Sequence, residues 1–117
     1  MIPDVDFITF NNEEDIQKIT TKTAGIILES IQGGAGFIEP QNDFLKKVRQ
    51  RCDEVGAIMI LDEIQPGFGR TGKLFGFMNY DIVPDVVVMG KGMASGMPVG
   101  AFTASDAMMD LLSHDPK

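Results

Sequence analysis

Cysteine and histidine are almost missing from this sequence, with Cys52 and His114 the sole examples of each. A single cysteine excludes an internal disulfide and a cysteine-rich metal site, and a single histidine leaves no basis for a histidine-based zinc cluster. Basic charge is scarce as well. Ten Lys and Arg stand against 17 Asp and Glu, a net charge of −7, which argues against a nucleic-acid partner because phosphate binding needs a basic face. Long apolar runs are absent. The longest, Ala57–Leu61, falls far short of the roughly 20 residues that span a bilayer. The N-terminal MIPDVDF has no cationic stretch followed by an apolar core. The expectation is a cytoplasmic chain with no membrane segment.

What is present suits one small domain: 117 residues, 44% of them apolar, enough to bury a core and too apolar for disorder. Short apolar runs alternate with helical patterns, which predicts an α/β fold with a three-layer αβα arrangement and a mostly parallel sheet. Strands are predicted at Ala24–Leu28, Ala57–Leu61 and Val86–Met89, with a weaker one at Val99–Ala104. Such continuous runs suit strands covered on both faces. Helices are predicted at Asn12–Ile19, capped by Asn12, at Asp43–Val55, and at Asp106–Leu112 with Ser105 as cap. In the second, Leu45, Val48, Cys52 and Val55 share one face, Lys46 to Arg51 supply the solvated side, and Gly56 stands where a left-handed cap belongs. Cys52 reads as a small core residue, and His114 as a solvated residue near a ragged end. The closing SHDPK completes no element, so residues 1–117 are expected to form a single partial domain of a larger protein.

The stretch AIMILDEIQPGFGRTGKL carries competing motifs. Gly67, Gly69 and Gly72 spell G-x-G-x-x-G, yet the acids precede the loop and no helix pattern comes after it, contrary to a dinucleotide-binding turn. Gly67 to Lys73 spell G-x-x-x-x-G-K, but Leu74 stands where a phosphate loop needs Ser or Thr to hold magnesium. A nucleotide-binding module using Gly67–Lys73 remains the alternative reading. A third reading uses Asp62, which ends one strand, and Lys91, which succeeds another between Gly90 and Gly92. In α/β sheets ligands sit beyond the carboxyl ends of the strands. An amine and a carboxylate delivered there suit pyridoxal phosphate, the lysine forming a Schiff base and the carboxylate pairing with the pyridine nitrogen.

The blocks AGIILESIQGGAGF, LKKVRQRCDEVGAIMILDEIQPGFGRTGKLFGF and PDVVVMGKGMASGMPVGAF occur in order. From about Ala24 to Ala104 the sequence resembles the class III aminotransferases of the fold type I pyridoxal-phosphate enzymes. That family includes the ornithine, acetylornithine and 4-aminobutyrate aminotransferases. The resemblance implies the central part of a large cofactor-binding domain, without the small C-terminal domain. It implies pyridoxal 5'-phosphate as cofactor, amino acids or amines and 2-oxo acids as substrates, and a homodimeric parent. It also implies Lys91 as the Schiff-base lysine and Asp62 as the partner of the ring nitrogen. Gln65 would be the hydrogen-bond partner of the phenolic oxygen, Ile64 the residue packed on the ring, and Glu29 an acid on the substrate side. Ser30 replaces the usual proline, and Gly34 stands where the ornithine and 4-aminobutyrate enzymes carry a glutamate. The resemblance does not separate amino transfer from aminomutase or decarboxylase chemistry. It implies that the piece alone is inactive.

Overall fold

The computed structural model describes residues 3–113, so His114 and the expectation attached to it lie outside the described residues. Four strands, β1 (Gly25–Glu29), β2 (Ile58–Asp62), β3 (Val86–Met89) and β4 (Ala101–Ala104), form one sheet in the order β1-β2-β3-β4. The first three run parallel and β4 pairs antiparallel to β3, giving the mostly parallel α/β sheet expected. Two α-helices accompany it, α1 (Phe44–Val55) and α2 (Asp106–Ser113). The Ser105 carbonyl accepts the first backbone bonds of α2, from Met108 and Met109.

The helix predicted over Asn12–Ile19 is instead a 3-10 turn over Glu14–Lys18. Its N-cap is Glu13 and not Asn12; the Asn12 Oδ1 accepts the Glu14 N–H at 3.0 Å just before it. The segment offers the core only two fully buried apolar residues, Ile16 and Ile19, too short an apolar stripe to hold several α-helical turns.

α1 crosses between β1 and β2 and covers one sheet face. Phe44, Leu45, Val48 and Cys52 are buried against Met59, Leu61 and Val87, and the Phe10 ring meets Phe44 edge-on at 5.2 Å. Gly56 closes α1 with φ of 78°, the left-handed cap expected. The basic side of α1 is less solvated than the sequence suggests. Arg49 Nη1 pairs with Asp85 Oδ2 at 2.8 Å and Nη2 with Asp53 at 2.7 Å, while Arg51 Nε donates to the Ile19 carbonyl. Asp85 Oδ2 also accepts the Met59 N–H at 2.7 Å. Arg49 thus ties α1 to the amino-terminal ends of β2 and β3, and Arg51 ties it to the segment before β1.

The opposite sheet face carries Ile27, Ile60, Val88 and Phe102, and it is more open: Ile27 is 65% and Phe102 51% exposed. α1 covers the face opposite to this one, and α2 packs next to β4. No helix among the described residues is long and apolar enough to cross a membrane.

Candidate active site at the carboxyl ends of the strands

Side chains alternate along a strand, and that parity sorts the residues of the site. Met59 and Leu61 of β2 point into the core, so Asp62 lies on the open face and Glu63 returns to the buried side. Glu29 ends β1 directly opposite Asp62, and Val88 of β3 flanks Asp62 on the other side. Both acids are half-buried. The Asp62 Oδ1 accepts the Ile64 N–H at 2.9 Å, and the Glu29 Oε2 accepts the Gly33 N–H at 2.8 Å.

Lys91 opens a 3-10 turn over Lys91–Ala94 just past β3. Its backbone is left-handed, with φ of 43°, an uncommon state for a side-chain-bearing residue. The exposed Lys91 Nζ donates to the Gln65 Oε1. A Cβ on buried Gly90 would meet Ile64 Cγ2 at 3.4 Å, so Ile64 packs against the chain that delivers the lysine. The structure thus gathers all five residues expected from the sequence at one end of the sheet. Lys91 touches Gln65, Ile64 sits beside Gly90, and Asp62 and Glu29 stand on adjacent strands.

The Gly67–Lys73 segment folds as turns, held by backbone bonds from Gly67 N–H to the Glu63 carbonyl, Gly69 N–H to Leu74 and Gly72 N–H to Gly69. The next element is only a short 3-10 turn over Gly76–Asn79, so the helix N-terminus on which phosphate loops rely is not formed here.

Sequence reasoning missed Glu63. It is fully buried, and its two carboxylate oxygens accept the N–H groups of Gly76, at 2.7 Å, and Phe77, at 3.0 Å. The signal was its parity: an acid two residues beyond buried Leu61 faces the core and requires partners there. Ser30, which stands where the resembling family has proline, is also fully buried, and its Oγ has no hydrogen-bond partner among the described residues.

The family model for aminotransferase class-III matches residues 7–116. The chain is 42% identical over 114 residues to a [LysW]-aminoadipate semialdehyde/glutamate semialdehyde transaminase of Sulfolobus acidocaldarius, covering 97% of this chain and 30% of that protein. The structure of ornithine delta-aminotransferase from Plasmodium falciparum superposes with a TM-score of 0.89 at 30% identity, over 95% of this chain and 30% of that one. The ornithine aminotransferase of Toxoplasma gondii superposes with a TM-score of 0.86 at 28% identity, over 98% of this chain and 28% of that one. That structure is described as revealing partial occupancy of PLP at the active site. The chain spans less than a third of the length of these relatives.

Proposed function

This chain belongs to the class III aminotransferases, and from that premise we propose that it is the central part of the large domain of an enzyme moving an amino group from an amino acid or amine to a 2-oxo acid or aldehyde. The carrying observation is the register that sets Asp62 beside Val88, on the strand from which Lys91 emerges three residues later. The donor set fits pyridoxal 5'-phosphate. An exposed amine, a half-buried carboxylate and an amide that reaches the amine converge at one sheet edge. Among the described residues the Asp62 carboxylate accepts one hydrogen bond, from Ile64, which leaves its second oxygen for a protonated ring nitrogen. Pyridoxal 5'-phosphate, when bound, supplies an aldehyde for the lysine and a ring that takes up the electrons released at the substrate carbon.

Within this reading Lys91 must shed a proton to act as a nucleophile, since a free lysine holds it to a pH of about 10.4. Gln65 receives its ammonium through a carbonyl oxygen and so fixes where the amine waits. Once free, the same amine carries the proton at the reacting carbon, the work of a positioned general base. Asp62 keeps the ring nitrogen protonated. Ile64, held against Gly90, offers an apolar face to the ring. Glu29 borders the substrate side, where its carboxylate is aligned by the Gly33 N–H. A Cβ at Gly34 would meet open space, so this position has room for the glutamate that resembling ornithine enzymes carry but does not supply it. The intact enzyme is proposed to act as a homodimer.

The test is reductive trapping on the intact enzyme. Pyridoxal phosphate is added, borohydride fixes the adduct, and peptide mass spectrometry locates it. Selective modification of Lys91, weakened in Asp62→Ala, is the expected result. Labelling scattered over the lysines, or none, would overturn the reading.

A further inference from the structure

The segment leaving β1 folds back on itself, with Gln32 and Ile38 exchanging backbone hydrogen bonds of 2.9 and 3.0 Å. Gly33 stands at the start of this fold-back, its N–H held by the Glu29 carboxylate. A Cβ built on Gly33 would overlap the Gln65 Cγ and come within 3.1 Å of its Cβ and 3.3 Å of its Cδ. The space that a side chain at 33 would occupy is filled by Gln65 on its way to Lys91. Gly34, one residue on, has nothing within 4 Å of such an atom, so the constraint belongs to one glycine and not to the glycine-rich run.

We infer that Gly33 is a positioning residue for the lysine: by lacking a side chain it selects the Gln65 conformation that reaches Lys91. The inference rests on the proposed role of Lys91 and adds the element that holds its partner in place. The logic is steric. Overlap with the middle of the Gln65 side chain cannot be relieved by moving its amide tip alone. Either the whole side chain leaves its rotamer or the loop backbone moves off the Glu29 carboxylate. The Glu29 bond and the paired Gln32–Ile38 backbone hold the loop in place, so the side chain yields and the Gln65 carbonyl is withdrawn from the Lys91 ammonium. The loop, which otherwise touches the amine nowhere in the hydrogen-bond network, thereby controls where that amine is held.

The experiment is a double-substitution cycle on the intact enzyme, with Gly33→Ala, Gln65→Ala and both together. Three quantities are read: the affinity of the apoenzyme for pyridoxal phosphate, the pH midpoint of the bound cofactor's visible absorption, and the rate at which acetic anhydride modifies Lys91 in the apoenzyme. Gly33→Ala is expected to weaken cofactor affinity about tenfold, the worth of the hydrogen bond that a correctly placed Gln65 would make to the cofactor's phenolic oxygen. It should shift the pH midpoint in the same direction as Gln65→Ala and speed Lys91 acetylation as Gln65→Ala does. The double substitution should be no worse than Gln65→Ala alone, because with Gln65 shortened there is nothing for Gly33 to position. A Gly33→Ala protein that behaves like the wild type overturns the inference, as do independent effects that multiply in the double variant. If Gly33→Ala fails to fold, adding Gln65→Ala must restore folding, since the overlap with Cγ is removed and only the 3.1 Å approach to the residue 65 Cβ remains; an equally unfolded double variant overturns the inference. Wild-type enzyme that is not trapped at Lys91 would instead defeat the functional reading. The folding comparison would still judge whether Gly33 sets Gln65.

Discussion

Glu29 and Asp62 face each other in register at the ends of two parallel strands, and each turns its carboxylate toward an N–H of its own outgoing loop. Strand spacing places their backbones about 4.8 Å apart, so two like charges share a small region of the open sheet face. Each carboxylate is anchored by a loop amide and stays on the open face. The arrangement separates the structural use of these acids from the chemical use proposed for them.

Asp62→Asn exploits that separation. An asparagine oxygen can still accept the Ile64 N–H, so the fold is retained and the thermal midpoint should stay within a few degrees of wild type. The negative charge is lost. In the intact enzyme kcat should fall by roughly a hundredfold or more, the scale of removing one electrostatic stabiliser from an active site. Calorimetry beside steady-state kinetics checks both halves, and a variant with full activity would contradict the role given to Asp62.

Glu63 is the fixed point behind the site. Replacing it by glutamine puts an NH2 group against one of the two amide donors it now receives, from Gly76 and Phe77. Glu63→Gln should cost about 2 kcal/mol of stability, within the range for buried hydrogen bonds to a charged group. Denaturant unfolding measures this directly. An unchanged midpoint would mean the loop is held by its Phe68, Phe75 and Phe77 rings alone.

Ser30 offers a test of opposite sign. Its buried hydroxyl has no partner among the described residues, so Ser30→Ala removes an unsatisfied polar group and should raise stability by about 1 kcal/mol. An increase in the thermal midpoint is the expected reading, and a decrease would show that the hydroxyl is solvated in solution.

Asp15 supplies a pH dependence. The hydrogen bond from Lys18, reinforced by the Thr9 N–H, holds its carboxyl below the ordinary value of 3.8. A folded pKa below the unfolded one stabilises the protein above the unfolded value, and that stabilisation is lost as pH falls through the folded value. The stability advantage of wild type over Asp15→Asn should therefore be constant near neutrality, begin to shrink as pH drops toward 3.8, and vanish in stronger acid. Thermal midpoints of both proteins across that acid range test it, and parallel curves throughout would remove Asp15 from the acid response.

Much of this was legible in the sequence because the signals were periodic or terminal. The run Val86–Met89 has the observed bounds of β3. Leu45, Val48 and Cys52 are the buried face of α1, and Gly56 is its left-handed end. The five residues expected at the site came from strand ends and from family resemblance, and the structure places them at one end of the sheet. Other features depend on partners distant in sequence. Arg49 and Arg51 look solvated until Asp85 and the Ile19 carbonyl are brought to them. Gly33 sits in a glycine-rich run where each glycine reads as a turn; only the path of Gln65 distinguishes it. The over-long first helix erred because a good cap and acids in the first turn are local signals, whereas helix length depends on the apolar surface that can be buried.

The parallel pairing of β2 with β3 has a wider consequence. The gauge between the carboxylate and the strand that delivers the amine is the pitch of a hydrogen-bonded ladder, about 4.8 Å, and no loop sets it. Apart from Gly33, Glu63, Ile64, Gln65 and Asp85, the connecting segments 30–43 and 63–85 can change their chemistry without altering that gauge. A scaffold of this kind keeps its reacting groups in step while its rim is rewritten, which lets substrate preference drift independently of the bond-making machinery.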